Sequence, residues 1–503
     1  MNMPQDFSEL ISGKTKDFLS SGKHNMFVGG KWIEAAGGDS FDVVNPANEE
    51  VIASVPAARE SDVDGAVQAA RKALEEGEWA RMRPATRQRL MLKLADLIER
   101  DAQILAEIES LDNGKSVEMA RAVDVALAIE FFRFMAGCAT KVEGLTLDVS
   151  VPFAPLETEF FAYTRREPVG VVAAVVPWNF PLLIAVWKLA PALAAGCTVV
   201  LKPAEQTPLS ALYLGRLIQE ADFPDGVVNV VTGDGTVGEP LVRHPGINKI
   251  SFTGSTEVGR LVGKAAMDNM SRVTLELGGK SPMIVLDDYD PSAAAQGAAQ
   301  AIFFNQGQVC CAGSRLYVHE KQFDRVVGEL ASIADSLKIG HGFEPGMQLG
   351  PLVSREQLDR VCGYIDLGRE QGAEVLSGGG RVDRSGYFVK PTVFATSNDS
   401  MKIVQEEIFG PVIVAMPYSD LDDIAKQAND TPYGLGASIW SNNLSRVQRL
   451  IPKIKAGTVW VNCHNMLDCA VPFGGYKLSG FGRDMGRMSM DAYLESKSVF
   501  MMI

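Results

Sequence analysis

The sequence predicts an α/β protein of two lobes, each built on a parallel sheet covered by helices. Three observations carry that expectation. At 503 residues the chain is too long for one simple core and suits two or three domains. From Gly170 onward, short apolar runs alternate with stretches of helical length, the pattern of strands with helices on both faces. The same alternation restarts at SPMIVLD, residues 281 to 287.

In chain order, short alternating runs from Phe27 to about Val55, including FDVVNPANEEVIASV, predict a small antiparallel meander. Long amphipathic helices follow from Ser61 to about Gly137. LTLDVSVPFAPLETEFFAYTRREP is strand-like and rich in aromatics expected to be exposed. The first lobe then reads as strand VVAAVV, helix PLLIAVWKLAPALAAG, strand TVVLKP, helix TPLSALYLGRLIQEA, strands VVNVVTG and NKISFTG, and a helix starting near Ser255. The second lobe takes SPMIVLD, a helix from about Ala293 to Asn305, SRLYVHE, later strands near Gly410 to Met416, and GTVWVN. The apolar tail SVFMMI and the earlier aromatic stretch are edges suited to a partner strand in another subunit. The apolar region from Val169 has the length of a membrane span. Pro177, Asn179, Pro181, Lys188 and Pro191 punctuate it, so a buried strand, turn, helix and strand fit better.

Hydrophobic residues make up 46% and charged residues 22%, as in ordinary globular proteins. A net charge of -14 removes nucleic acid and anionic membrane from the expected partners. Seven cysteines, at 138, 197, 310, 311, 362, 463 and 469, show neither a disulfide framework nor zinc spacing, which favours a reducing compartment. MNMPQDFSELISGKTKDF has no basic start with an apolar core behind it, so a cytoplasmic location is expected. No metal, haem or flavin motif is visible.

Chemistry concentrates in FFNQGQVCCAGSR, residues 303 to 315, where Cys310 sits between small, hydrogen-bonding neighbours. In isolation such a cysteine is more often an incidental thiol. Upstream, Glu276 interrupts the strand-like RVTLELG, and a carboxylate facing inward from a strand is costly unless it has a task. SFTGSTEVGR places Gly254, Ser255 and Thr256 between a strand and a helix, where backbone amides suit a pyrophosphate, although a plain helix cap reads the same way. Lys202 and Glu205 of KPAEQTP follow a strand end, where open α/β sheets bind ligands; a solvated loop is the plainer alternative. Glu205 suits the two hydroxyls of an adenine ribose and opposes a 2′-phosphate, favouring NAD over NADP.

PWNFP, KPAEQTP, FTGSTEVG, LELGGKSP, GQVCCAGSR, EEIFGPV and PFGGYKLSGFGR occur in one order across the chain. With these seven segments the sequence resembles the NAD(P)-dependent aldehyde dehydrogenase superfamily nearly end to end. GLTLDVSVPF, RREPVGVVA, GQVCCAGSR and GRDMG are most similar to its phenylacetaldehyde dehydrogenases.

The resemblance implies two Rossmann-like α/β lobes plus a small bridging β oligomerisation element. An NAD-binding domain would take 1–148 and 168–278, a catalytic domain 279–487, and the oligomerisation element 149–167 and 488–503. It implies a homotetramer, as a dimer of dimers, or a homodimer. It assigns Cys310 as nucleophile, the Asn179 amide with the Cys310 N–H as oxyanion donors, and Glu276 as the base for water. Lys188 would serve a proton relay, with a lysine snorkelling from a buried helix as the alternative. Trp178, Lys202, Glu205, Gly254, Ser255, Glu407 and Phe409 would hold NAD. Phe180, Ile184, Trp187, Val309, Cys311, Leu467 and Phe473 would line an apolar funnel with Asn465 polar at its rim, suited to an aromatic aldehyde. Asp468 leaves amino or betaine aldehydes open, and a semialdehyde remains an alternative. Outside that activity stand a CoA-acylating relative, a cysteine esterase and a non-catalytic binding protein; Glu276 and the coenzyme segments weigh against them.

Overall fold

The structure is a computed structural model and describes residues 9–503. The first eight residues, which open the N-terminal stretch and the expected coenzyme domain, lie outside the described residues.

An eight-stranded sheet forms the first lobe, in the order Gly480–Phe481, Arg272–Glu276, Lys249–Thr253, Val171–Val175, Thr198–Lys202, Val228–Val230, Met26–Val28, Lys31–Ile33. Its five central strands are parallel. They are runs of mostly buried, largely β-branched residues, as expected where helices cover both faces. The chain starts at Val171–Val175, moves outward through the next two strands, then returns to place Lys249–Thr253 on the other side. That reversal leaves a crevice beyond the carboxyl ends of Val171–Val175 and Lys249–Thr253.

The second lobe holds a seven-stranded sheet ordered Glu374–Ser377, Thr392–Ala395, Val412–Tyr418, Arg315–His319, Pro282–Val285, Gly436–Trp440, Thr458–Val461, parallel except at the first edge. Only residues 277–281 separate the strand ending at Glu276 from the one starting at Pro282. The lobes are also sewn together by Gly480–Phe481, which pairs antiparallel with Leu275 and Glu276. A third sheet of three strands combines Thr146–Leu147, Phe160–Pro168 and the tail strand Leu494–Met502.

One expectation needs correction. Residues 27 to 55 do not form a single meander. Met26–Val28 and Lys31–Ile33 extend the eight-stranded sheet through Phe27 and Val230, whereas Ser40–Val44 and Val51–Pro56 form a separate ribbon. Alternating polarity marks a strand but not its partner.

Helix Pro181–Ala195 is buried at every position, opens with proline and stops at left-handed Gly196 (φ 97°). Being apolar all round, it is an internal helix, and Lys188 is its one charged residue. No helix among the described residues is long and apolar enough to cross a membrane.

Candidate functional site

The crevice beyond the first sheet gathers the expected coenzyme residues. Ser255 caps helix Thr256–Asp268 by accepting the Val258 N–H, leaving the helix's first amides facing the crevice end of the sheet. The buried Thr253 hydroxyl beside it has no partner among the described residues. Lys202, at the end of its strand, is buried; its Nζ donates to the Pro203 carbonyl at 3.1 Å and lies 3.7 Å from Glu205. Burial pulls the Lys202 ammonium below its usual range. The Glu205 carboxylate is 41% exposed and accepts from Gln206, with Lys202 as its ion-pair partner. From the second lobe, Glu407 accepts the Gly279 N–H at 2.8 Å, and burial raises its carboxyl to about 7. Phe409, at φ 60°, sets its ring edge-on to Trp178 with centroids 5.2 Å apart. Orphan helix amides between two carboxylates, with an aromatic pair at one end, fit the pyrophosphate, riboses and ring of a dinucleotide.

The candidate nucleophile and base meet where the lobes join. Helix Pro291–Phe303 runs into a short 3-10 turn in which Asn305 and Gln306 have positive φ, 46° and 57°. This contorted turn delivers half-buried Cys310 ahead of strand Arg315–His319. The neighbouring Cys311 and then burial push the Cys310 thiol well up. Glu276, 4% exposed, has neither carboxyl oxygen hydrogen-bonded among the described residues. Burial first, then the nearby Asp484 and Cys310, hold it well above the carboxylate range. Gly474 makes room for it, since a Cβ there would stand 2.7 Å from Oε1.

Asn179 follows strand Val171–Val175 and is 2% exposed. Its Nδ2 donates to the Gln308 carbonyl at 2.9 Å, which leaves one N–H free. The Cys310 N–H donates to no protein atom among the described residues. Among the described residues, one Asn179 N–H and the Cys310 N–H are therefore unspent donors.

Lys188 does not snorkel. Its head is fully buried and ion-paired with Asp484 at 3% exposure, because the surrounding helix has no solvent face. Asp484, in PFGGYKLSGFGRD, lies 296 residues from Lys188, and no local pattern in the sequence announces it. Nor does the sequence announce Lys115, Glu109 and Asp124, a buried cluster under Asn179 that falls within the stretch expected to form amphipathic helices.

Phe180, Ile184, Trp187, Val309, Cys311 and Phe473 are all buried within the molecule's main apolar core, with half-buried Leu467 packed against it. Trp187 and Phe473 stand 5.7 Å apart by ring centroids. Trp187 Nε1 is buried without an acceptor among the described residues. Asn465 accepts from the Cys311 thiol at 3.4 Å. Asp468 is exposed, and its carboxylate accepts the Ala470 N–H at 2.8 Å.

A half-buried thiol and a buried carboxyl without a hydrogen bond thus stand together where the two lobes join. The family model for the aldehyde dehydrogenase family matches residues 32–499. A phenylacetaldehyde dehydrogenase from Pseudomonas fluorescens is 50% identical over 479 residues, 95% of each chain. The solved NAD+ complex of an aldehyde dehydrogenase from Bacillus cereus superposes with a TM-score of 0.95 at 47% identity, covering 98% of this chain and 99% of that one. A betaine aldehyde dehydrogenase variant from Staphylococcus aureus, solved with NAD+, gives 0.92 at 38% identity over 95% and 97%. The chain belongs to the aldehyde dehydrogenase family.

Proposed function

We propose that the protein oxidises apolar or aromatic aldehydes with NAD, and that phenylacetaldehyde, converted to phenylacetate, is its preferred substrate. The carrying observation is Glu276, a buried carboxyl without a hydrogen bond beside the Cys310 thiol. An unsatisfied buried acceptor is costly and persists where it has work.

In this reading the Cys310 thiol gives its proton to water as Sγ bonds to the aldehyde carbon, and the carbonyl π pair moves onto the oxygen. The new oxyanion accepts from the Asn179 amide and the Cys310 N–H. NAD, bound across Lys202, Glu205, Gly254, Ser255, Trp178, Glu407 and Phe409, supplies the acceptor for the hydride that this carbon loses. A Cys310 thioester remains. Ionised Glu276 then removes a proton from water as it attacks the thioester carbon, the C–S bond breaks, and the acid leaves. The Lys188–Asp484 pair lies beside Glu276 and would pass that proton onward.

Phe180, Ile184, Trp187, Val309, Leu467 and Phe473 favour an aromatic substrate, with Cys311 and Asn465 at one side. Asp468, engaged in its own turn, gives a cationic aldehyde less support. In this reading the domains divide at 278/279, the three-stranded sheet joins subunits into a dimer or tetramer, and the enzyme works in the cytoplasm in aromatic or styrene catabolism.

The test is NADH formation with phenylacetaldehyde, benzaldehyde, a short aliphatic aldehyde, succinic semialdehyde and betaine aldehyde, each with NAD and NADP. A preference for phenylacetaldehyde with NAD supports the reading. Preference for a charged aldehyde overturns the substrate, and no reduction with any overturns the activity.

A further inference from the structure

The segment carrying Asn179 is pinned from below by one buried polar cluster. Asn113 Nδ2 donates to the Trp178 carbonyl at 2.8 Å, Lys115 Nζ to the Asn179 carbonyl at 2.9 Å, and the Leu182 N–H to Glu109 Oε1 at 2.6 Å. Lys115 Nζ also sits 4.5 Å over the Phe180 ring. Lys115, Glu109 and Asp124 are each fully buried. Lys115 is ion-paired to Asp124 and lies 3.6 Å from Glu109.

Asp124 owes its place to unusual backbone. Residues Ala120–Val125 form a π-helical turn between two α-helical pieces. An unbroken α-helix would shift the direction of position 124 by about 100°. Such turns are rare and concentrate at functional sites. Burial, with Glu109 facing it, raises the Asp124 carboxyl well above its ordinary range.

The same Asn179 carbonyl accepts a second bond, 3.0 Å from Asn305 Nδ2. Asn305 belongs to the left-handed turn that delivers Cys310. The Asn179 side chain reaches back to the Gln308 carbonyl in that turn. One peptide group therefore joins the cluster in the first lobe to the nucleophile turn in the second. Burying three ionisable groups costs more than apolar packing would, and a core needs no such cluster for cohesion alone.

We infer that the buried Lys115–Asp124–Glu109 cluster is a positioning device for the oxyanion site, holding the Asn179 amide at a fixed distance from the Cys310 turn. Lys115 touches neither substrate nor coenzyme; it acts through the Asn179 peptide. This inference rests on the proposed role of Asn179 as oxyanion donor.

The experiment is a double-mutant cycle on the full-length enzyme. Asn179→Ala, Lys115→Met and the pair are assayed with phenylacetaldehyde and NAD, with rates divided by Cys310 thiols titrated with an alkylating probe. Coenzyme affinity is followed by protein fluorescence. Lys115→Met is expected to lower kcat per titrated site about tenfold to a hundredfold, because a misplaced group costs rate rather than binding. Coenzyme Kd and aldehyde KM should stay within about twofold. Asn179→Ala should then cost far less in the Lys115→Met background than alone. Additive losses, or unchanged kcat per titrated site, overturn the inference. Should Lys115→Met fail to fold, Asp124→Asn, which keeps shape and removes the carboxyl facing Lys115, carries the same cycle. Full turnover by Asn179→Ala overturns the oxyanion reading and this inference together. A large loss in Asn179→Ala that simply adds to that of the cluster variant overturns this inference alone.

Discussion

The main-chain carbonyl of Glu276 accepts the Gly254 N–H at 3.1 Å. This bond continues the pairing of the two strands, in which Thr253 stands opposite Glu276. The turn that opens the coenzyme-side helix and the candidate base are thus parts of one rigid sheet end. Precision at the base then depends on the packing over its carboxyl, which Gly474 provides.

Gly474→Ala tests that dependence. The position does not have positive φ, so space is the only objection to a methyl group there. The added Cβ would stand 2.7 Å from Glu276 Oε1 and 2.8 Å from both Arg483 Cδ and the Gly482 carbonyl, so the Glu276 and Arg483 side chains must give way before the backbone does. Turnover should fall about tenfold. Coenzyme binding measured by fluorescence should be retained. Unaltered turnover would show that the carboxyl does not need this placement.

Glu276→Gln separates the two halves of the reaction. With the water-activating carboxylate gone, steady-state turnover should fall about 10²- to 10⁴-fold. The first burst of NADH in stopped flow should survive with larger amplitude per turnover. A burst lost in proportion to turnover removes Glu276 from the deacylation step. Cys310→Ala should lose both phases and still bind NAD.

The same residue makes an opposite prediction for stability. The Glu276 carboxyl is raised in the folded protein, so the folded state keeps a proton that the unfolded chain releases above about pH 4.3. Its contribution to folding is therefore best at low pH and is lost as pH rises through the folded value. Glu276→Gln removes this pH-dependent loss. Its Tm advantage over the native protein should be larger at pH 8 than at pH 5 by calorimetry. An advantage that shrinks with pH would mean the carboxylate is better solvated than its missing partners imply.

Glu205→Gln addresses coenzyme choice. The carboxylate is anchored by Lys202 and Gln206 yet faces outward, where it would oppose a 2′-phosphate. Neutralising it should raise kcat/KM with NADP relative to NAD about tenfold, a change of about 1.4 kcal/mol. An unchanged ratio of initial rates would place the ribose contact elsewhere.

Much of this site was legible in the sequence because its parts lie at element ends. Fully buried runs such as Thr198–Lys202 announce parallel strands, and the residues after them fall at the crevice. Cys310 and Glu276 stood out in their own segments, but their roles, and Asn179 altogether, came through the resemblance, since Gly, Gln and Ser around a cysteine do not by themselves define a nucleophile. Asp484 and Lys115 were not legible. The Lys188–Asp484 pair spans 296 residues, and no local periodicity encodes such a contact. Helix Ala102–Asn113 is buried from Ile104 to its end, including Glu109 and Asp112, whereas its polar residues read as a wet face. Polar residues on several faces of ESLDNGK were the available signal.

The tail carries the last prediction. Leu494–Met502 pairs through nine positions with Phe160–Pro168, which puts it at one edge of the three-stranded sheet. That edge ends in Phe500, Met502 and Ile503, which are 61%, 75% and 80% exposed. Burying one such side chain gains about 1.5–3 kcal/mol, enough for three together to bias an association. Phe500→Glu with Met502→Glu keeps the strand and places charge on the edge, whereas deleting 494–503 removes both strand and edge. Both variants should show a lower mass than the native protein by light scattering. The double glutamate variant should keep its coenzyme affinity, because the crevice residues lie on other elements. Native mass in both variants would mean that subunits join through another surface and that the tail serves only its own sheet.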